Sequence, residues 1–232
     1  MINIVVPMAG SSFFFDEKKD GFIKPFVEIC GKTMLELFIE NYAFVEDKRF
    51  IFILKEEDVR SFHLDEAISV LTHHKASILT TKNETAGMLC SALLAVELIE
   101  NDEPLLVVNS DQIFEFENYD AGVLSFESIH PRFAYVKCDE RNLVLEAFEK
   151  RPMSKNAVAG FYYFKKGRFF VEAAKRTIRK DMSLNGKFFI APLLNELILQ
   201  NKKILNNKID KNAYHTFYSK EKINEYERIK NA

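Results

Sequence analysis

The feature that most constrains the fold is a set of short, continuously apolar segments separated by stretches of helical periodicity. The apolar segments are rich in β-branched and aromatic residues, which favour strands. Strands that are apolar along their whole length are typical of a parallel sheet with helices covering both faces. For the first part of the chain we predict strands at Ile2–Pro7, Arg49–Leu54, Ala76–Leu79 and Pro104–Asn109, and helices at Met34–Ala43, Leu64–His74 and Ala86–Ile99.

The pattern changes after residue 130, where strand patterns follow one another without a helix between them. We predict strands at Arg132–Cys138, Leu143–Glu149, Val158–Phe164 and near Lys203–Asn207 and Tyr214–Phe217, and helices at Gly167–Lys180, at Ala191–Gln200 and from Lys220. No Gly/Ser/Pro-rich linker and no internal repeat interrupts the chain. The prediction is a single α/β domain over residues 1–232, with a Rossmann-like, mixed, mostly parallel central sheet and helices on both faces.

The composition excludes several classes of protein. A net charge of −2 argues against a nucleic-acid-binding protein, which usually carries a basic excess. Three widely spaced cysteines form no disulfide framework. No apolar run approaches the about 18–20 residues of a membrane helix, and the N-terminus lacks the basic start of a signal peptide. We therefore expect a cytoplasmic protein with no membrane partner.

Ligands of open parallel sheets bind at the carboxyl ends of the strands, so the loops that follow the predicted strands are candidate sites. The loop after the first strand is built of small residues, whose backbone N–H groups can approach a phosphate chain closely. A plain tight turn is the alternative. The segment in question comprises Pro7, Met8, Ala9, Gly10, Ser11 and Ser12.

An acidic residue follows the strand at Pro104–Asn109. Asp111 stands where this apolar strand stops, after Asn109 and Ser110. A carboxylate in that position suits Mg²⁺, which takes one or two acidic ligands and bridges phosphate oxygens. The alternative is an aspartate that caps the next turn.

A third candidate loop opens the predicted helix at Ala86–Ile99. It contains Thr85, Ala86 and Gly87. Free N–H groups at a helix N-terminus can contact a ligand, and Thr85 can at the same time be an ordinary N-cap.

Taken in order, these segments resemble the nucleotidyltransferases that activate sugar phosphates and similar small phosphates. The resemblance spans roughly residues 1–200, and each motif alone is less specific than the series. The matching segments are Pro7-Met8-Ala9-Gly10, Ile23-Lys24-Pro25-Phe26, Thr85-Ala86-Gly87, Asn109-Ser110-Asp111, Glu149-Lys150-Arg151-Pro152 and Gly160-Phe161-Tyr162-Tyr163-Phe164.

The chain is similar to the short members of that family. It has no hexapeptide repeat, so we expect no C-terminal β-helix of the kind that many relatives carry. The segment Asn185–Pro192 is similar to enzymes of capsule and surface-polysaccharide gene clusters. Some short members are cytidylyltransferases whose acceptors are not sugars, such as phosphocholine or phosphoglutamine.

The resemblance implies a role for each matching residue. Lys24 would contact the triphosphate, and Asp111 would ligate Mg²⁺ or Mn²⁺; these two are the implied catalytic residues. The implied nucleotide-binding residues are Pro7, Met8, Ala9, Gly10, Ser11, Ser12, Lys24, Thr85, Ala86, Gly87 and Ser110, and the implied acceptor-binding residues are Asn109, Glu149, Lys150 and Gly160. Residues 1–130 would form the nucleotide-binding half and residues 131–232 the acceptor-binding half.

The resemblance also implies the reaction and the partners. An acceptor phosphate would attack the α-phosphorus of an NTP and release pyrophosphate. We expect CTP as the nucleotide and a small phosphorylated metabolite as the acceptor, with GTP and a mannose- or heptose-type sugar phosphate as the alternative. Homodimers are common in proteins of this kind.

Two departures from the family pattern keep rival interpretations open. Phe14 stands where the family has an arginine, and the segment 214–219 lacks the metal-binding carboxylate that relatives often place there. A catalytically weak nucleotide-binding protein is therefore one alternative. A glycosyltransferase of similar architecture is another, although the single acid at Asp111 does not form the Asp-x-Asp motif usual in those enzymes.

Overall fold

The computed structural model describes residues 1–10, 15, 21–115 and 122–231. Its strands are β1 (Ile2–Pro7), β2 (Glu28–Ile29), β3 (Lys32–Thr33), β4 (Lys48–Lys55), β5 (Ser77–Thr81), β6 (Leu105–Val108), β7 (Gln112–Phe114), β8 (Val123–Glu127), β9 (Ala134–Cys138), β10 (Val144–Glu149), β11 (Asn156–Phe164), β12 (Asn206–Lys208) and β13 (Tyr214–Thr216). Its helices are α1 (Met34–Asn41), α2 (Glu56–Phe62), α3 (Leu64–Leu71), α4 (Met88–Leu93), α5 (Val96–Ile99), α6 (Gly167–Arg179), α7 (Ile190–Leu199) and α8 (Lys220–Lys230).

The central sheet is mixed and has a parallel centre. Its strand order is β10-β9-β11-β6-β1-β4-β5, with β8 paired to β11 and β12 paired to β8. The strands β6, β1, β4 and β5 run parallel, whereas β11 pairs antiparallel with β6, β8 and β9. The predicted fold class is thereby confirmed, and the described residues after β11 form helices and short strands rather than a β-helix.

Helices cover both faces of this sheet because side chains of a strand alternate between the faces. Val5 and Ile53 pack on one face with residues of α4, α5, α6 and α7. Ile4 and Phe52 pack on the other face with residues of α1 and α3. Burial on both faces explains why the parallel strands are apolar at nearly every position. In the described residues, no helix is long and apolar enough to cross a membrane.

The helix predicted at Ala86–Ile99 is wrong in its bounds and continuity. It begins at Met88 and divides into α4 and α5 at Leu94 and Ala95, whose N–H groups bond to carbonyls three residues earlier. Leu89, Ala92, Ala95 and Ile99 are all buried. The break therefore leaves the apolar periodicity intact, and the sequence pattern could not reveal it.

A short strand that the sequence analysis did not predict, β7, joins the predicted β13 at the carboxyl end of the sheet. Strand β7 begins immediately after Asp111 and pairs antiparallel with β13. The backbone N–H of Phe217 donates to the carbonyl oxygen of Asp111 at 2.7 Å, which extends this contact. The segment from β13 to Phe217 is thus hydrogen-bonded directly beside Asp111, which follows strand β6.

Candidate functional site

A cavity of about 250 Å³ opens at the carboxyl end of β6. It is bounded by β9, β10 and β11, by the β7–β13 pair and by the segment that leads into α7. Residues predicted for acceptor and metal binding lie around this one cavity, namely Asn109, Asp111, Glu149, Lys150 and Gly160. Residues that the sequence analysis did not single out for the site also line it, among them Arg132, Phe133, Tyr214, Thr216 and Phe189.

Lys24 and Asp111 form an ion pair at this cavity. The Nζ of Lys24 lies 2.5 Å from Oδ2 of Asp111, and the two side chains are 19% and 27% exposed. A 3₁₀ turn at Lys24–Phe26 positions the lysine, with Pro25 in its first turn. Residues that are 87 positions apart in the chain thus meet with opposite charges in a poorly solvated place. Removing either partner would leave an uncompensated, partly buried charge.

Gly160 and the side chains of Gln112 and Tyr214 form a hydrogen-bonded wall of the cavity. Gln112 Nε2 donates to the Gly160 carbonyl at 3.0 Å, and the Tyr214 hydroxyl donates to Gln112 Oε1 at 3.0 Å. The φ of Gly160 is +62°, and a Cβ there would lie 2.4 Å from Gln112 Nε2 and 2.5 Å from Asn109 Nδ2. The side-chain amides of Gln112 and Asn109 therefore occupy the space that a side chain at residue 160 would need. Gly160 itself still lines the cavity.

Glu149 and Lys150 stand at the end of β10, where Glu149 pairs with Ala134 of β9. Burial raises the pKa of Glu149 to about 7, and the neighbouring Lys150 offsets part of this rise. Lys150 adopts a left-handed backbone conformation, with φ +53°, and its Nζ lies 4.6 Å from the centre of the Phe189 ring. Near neutral pH this carboxyl is therefore close to half protonated and can donate as well as accept hydrogen bonds.

The loop after β1 is described only as far as Gly10. The N–H of Met8 donates to the Ile53 carbonyl at 2.8 Å, Ala9 is buried against the same core as Leu89 of α4, and Gly10 is exposed. Pro7 closes β1. The predicted nucleotide-binding residues Ser11 and Ser12, and Phe14 with its departure from the family pattern, lie outside the described residues.

The segment Thr85–Gly87 is held to the start of α7 rather than capping a long helix. The N-cap of α4 is Gly87, so the prediction of Thr85 as N-cap is wrong. Thr85 Oγ1 instead donates to the Gly87 carbonyl at 3.0 Å and is hydrogen-bonded to the Ser91 hydroxyl at 2.6 Å. The N–H of Phe188 donates to the Ala86 carbonyl at 2.7 Å. This loop is thereby fixed to the segment that carries Phe189 into the cavity.

The described residues contain no group of three or more His, Cys, Asp and Glu side chains that could hold a metal ion. Asp111 contributes one carboxylate to the cavity, and Thr216, opposite Gln112 in the β7–β13 ladder, contributes a hydroxyl. Ser110, just before Asp111, is partly exposed. This donor set fits an ion of the Mg²⁺ type, which is held by one or two carboxylates together with substrate phosphates and water. It does not fit an all-protein metal cage.

The additional lining residues differ in how far the sequence could have predicted them. Tyr214 and Thr216 fall in a predicted strand, but only the unpredicted β7 brings them beside Asp111. Arg132 begins another predicted strand, and nothing in its local pattern distinguishes it from a surface arginine.

Solved structures define the fold class of the chain. The nucleoside-diphosphate-sugar pyrophosphorylase from Vibrio cholerae RC9 matches with a TM-score of 0.82 and 23% identity, covering 97% of this chain and 99% of that one. A protein from Bacillus anthracis described as a glucose-1-phosphate thymidylyltransferase, solved in complex with sucrose, matches with a TM-score of 0.69 and 17% identity, covering 99% and 95%. The fold is thus that of the nucleotide-sugar transferases. No curated protein sequence matches the chain.

The family follows from the sequence itself. Residues 20–208 match the family model described as nucleotidyl transferase, and the chain belongs to this family. Its members use an NTP and a sugar phosphate as substrates and typically require a divalent metal ion. The matched range includes Lys24, Asp111, Glu149 and Lys150 and ends in β12.

Proposed function

We propose that the chain transfers a nucleoside monophosphate, CMP from CTP in the first instance, to a small phosphorylated acceptor in surface-polysaccharide synthesis. The observation that carries this proposal is the Lys24–Asp111 pair at the cavity that also holds Glu149 and Lys150. A cation and an anion suited to a metal-bound triphosphate thus stand beside groups suited to a phosphorylated acceptor.

The proposed reaction is an in-line displacement. An oxygen of the acceptor phosphate forms a bond to the α-phosphorus, and the bond from that phosphorus to the bridging oxygen of the β-phosphate breaks, so that pyrophosphate leaves with the bond's electron pair. Such reactions depend mainly on alignment and on compensation of charge. Lys24 compensates the charge that develops on the leaving pyrophosphate, and Lys150 holds the acceptor phosphate.

Asp111 is the proposed ligand of Mg²⁺ or Mn²⁺. The ion, when bound with the nucleotide, neutralises phosphate charge that the protein's own cations do not reach. Asp111 is paired with Lys24 in the described structure, so the lysine has to turn toward the triphosphate when the carboxylate takes a metal ligand's role. The two residues together keep the partly buried site neutral before substrate arrives.

The remaining candidate residues divide between the two substrates. The backbone from Pro7 through Ser12 cradles the triphosphate with Ser110 nearby, and the loop Thr85–Gly87 contacts the base. Glu149 and Asn109 hydrogen-bond the acceptor, and Gly160 shapes the wall behind it. Residues 1–130 form the nucleotide half of a single domain and residues 131–232 the acceptor half.

The nucleotide and the acceptor class each have an alternative. GTP with a mannose- or heptose-type sugar 1-phosphate is the second candidate, because the base would be read by backbone groups of Thr85–Gly87 that do not by themselves select cytosine. A phosphorylated acceptor that is not a sugar is the alternative to a sugar phosphate. A glycosyltransferase and a nucleotide-binding protein without turnover remain as outcomes of the test.

The test is the melting temperature of the protein with CTP, GTP, UTP, ATP and dTTP, each with and without Mg²⁺. A ligand at one hundred times its dissociation constant stabilises the native state by about 2.7 kcal/mol. We expect a metal-dependent rise with CTP that Asp111→Asn abolishes. A rise with GTP alone would replace the cytidylyltransferase by a guanylyltransferase. No response to any NTP, together with a rise for a nucleotide-diphosphate sugar, would contradict the proposal and favour a glycosyltransferase.

A further inference from the structure

Arg132 occupies a position in the cavity that no role given above explains. It lies just before β9 and lines both this cavity and a neighbouring one of about 300 Å³. Its guanidinium carbon lies 3.1 Å from the centre of the Tyr218 ring. Within the described ranges, no carboxylate oxygen lies within 4.0 Å of a side-chain nitrogen of Arg132. The guanidinium is therefore oriented by an aromatic ring and not neutralised by an acid.

Lys150 has a similar environment in the same cavity. Its Nζ lies over the Phe189 ring, and it too has no carboxylate partner within 4.0 Å in the described part of the chain. Glu149 of β10 pairs with Ala134 of β9. Lys150 follows Glu149 and Arg132 precedes Ala134, so both cations lie at the same end of these two strands. Two cations thus flank the cavity, each supported by an aromatic ring of the C-terminal part of the chain.

The acids of the cavity compensate these cations only in part. Asp111 is paired with Lys24. Glu149 is close to half protonated near neutral pH, since burial raises its pKa to about 7. The cavity therefore presents an excess of positive charge, carried by the partly buried Arg132 and the exposed Lys150, and such a place attracts an anion.

The geometry points to Arg132 as a substrate-binding residue that, together with Lys150, binds the phosphate of a phosphate monoester in this cavity. The Arg132 guanidinium lies over the Tyr218 ring, and a guanidinium carries a planar fork of N–H donors that can bind two phosphate oxygens at once. Lys150 adds a point charge in the same cavity. This inference rests on the proposed function, since it identifies the phosphate as that of the acceptor.

A merely structural role for Arg132 makes a different prediction. If the side chain only fills space against Tyr218, its replacement lowers the melting temperature of the ligand-free protein and leaves phosphate affinity unchanged in the folded protein. If it binds phosphate, Arg132→Gln weakens binding, whereas Arg132→Lys restores part of it because the charge returns without the fork of donors.

The experiment is calorimetric titration of the full chain with methyl phosphate, the smallest phosphate monoester. We expect saturable binding by the wild type, at least about tenfold weaker binding by Arg132→Gln and by Lys150→Gln, and an intermediate affinity for Arg132→Lys. Arg168→Gln is the matched control, because Arg168 also lies over an aromatic ring, that of Phe169, but is half exposed and paired with Asp102. It should bind like the wild type.

Two results would overturn the inference: no saturable binding by the wild type, or equal binding by the wild type and Arg132→Gln. The proposed function is tested separately by the response to NTP. If CTP or GTP stabilises the protein and pyrophosphate is released but Arg132→Gln changes neither methyl phosphate affinity nor the KM for the acceptor, only the inference fails. If no NTP binds while methyl phosphate binding depends on Arg132, only the proposed function fails.

Discussion

At the level of single residues, both members of the Lys24–Asp111 ion pair are expected to be essential for turnover. Lys24→Met and Asp111→Asn should each reduce the rate of pyrophosphate release by about 10²–10³, a magnitude typical of losing one group that stabilises developing charge. Steady-state rates at saturating nucleotide measure this. Lys155→Met is the control, because Lys155 forms an exposed ion pair with Glu127 away from the cavity.

The stability of the same variants separates catalysis from folding. Each single substitution leaves its half-buried partner charge uncompensated and should lower the free energy of unfolding, whereas the double variant should recover part of the loss. An unchanged rate in Asp111→Asn would remove that residue from the mechanism, whatever its effect on stability.

Glu149 should make the stability of the protein depend on pH in a defined direction. Its pKa in the folded state is about 7, above the usual value of 4.5, so the folded protein retains a proton that the unfolded chain has lost. The free energy of unfolding therefore falls as pH rises from about 4.5 to 7 and stays lowered above that. Glu149→Gln should be more stable than the wild type at pH 8, by on the order of 1–3 kcal/mol, and lose this advantage at pH 5.

Urea unfolding at the two pH values measures this difference. Glu146→Gln is the control, since Glu146 is an exposed glutamate of the same strand. Equal stabilities of Glu149→Gln and the wild type at pH 8 would show that the carboxyl is ionised without cost in the folded protein.

At the scale of elements, the connection between the start of α4 and Phe188 should depend on Gly87. Its φ is +105°, and a Cβ there would lie 2.5 Å from the carbonyl oxygen of Phe188. Gly87→Ala should lower the free energy of unfolding by about 2–3 kcal/mol, because backbone strain and a clash with main chain act together. Chemical unfolding measures it.

Gly31→Ala provides the matched control for this substitution. The φ of Gly31 is +78°, but nothing lies within 4 Å of the position that a Cβ would take. It should therefore cost only about 1–2 kcal/mol, the strain of a left-handed residue. Equal costs at the two glycines would mean that the contact with Phe188 is not maintained in solution.

Some of the strands and helices could be predicted from the sequence, and others could not. Strands β1, β4 and β6 were predictable because burial on both faces makes them continuously apolar. The break between α4 and α5 was not, because it preserves the apolar periodicity. Strand β7 is three residues long, and its partner β13 lies about a hundred positions later, so their pairing is a tertiary event.

For the candidate site, the residues predicted for acceptor and metal binding lie around one cavity. Two of its other lining residues, Arg132 and Phe189, were given no role from the sequence, although Phe189 lies in the segment Asn185–Pro192. Asp111 and Lys150 belong to motifs that the chain shares with its family. Arg132 and Phe189 reach the cavity only through the packing of distant segments. No local pattern in a single sequence indicates which distant segments pack against each other.

At the scale of the whole molecule, the two predicted halves should unfold together. Strand β11 pairs with β6 of the first half and with β9 of the second, and both apolar cores contain residues from the two halves. We expect one cooperative urea transition, with the same midpoint by circular dichroism and by tyrosine fluorescence. Two separate transitions would contradict a single domain over residues 1–232.

Transfer of a nucleoside monophosphate in this cavity would release pyrophosphate, which can be measured as it forms. The measurement is the rate of pyrophosphate formation from CTP or GTP with Mg²⁺ on addition of a panel of phosphorylated acceptors, for the wild type and for Asp111→Asn. We expect release that requires an acceptor and the metal and that is lost in Asp111→Asn. Nucleotide binding without release for any acceptor, or release unaffected by Asp111→Asn, would contradict this expectation.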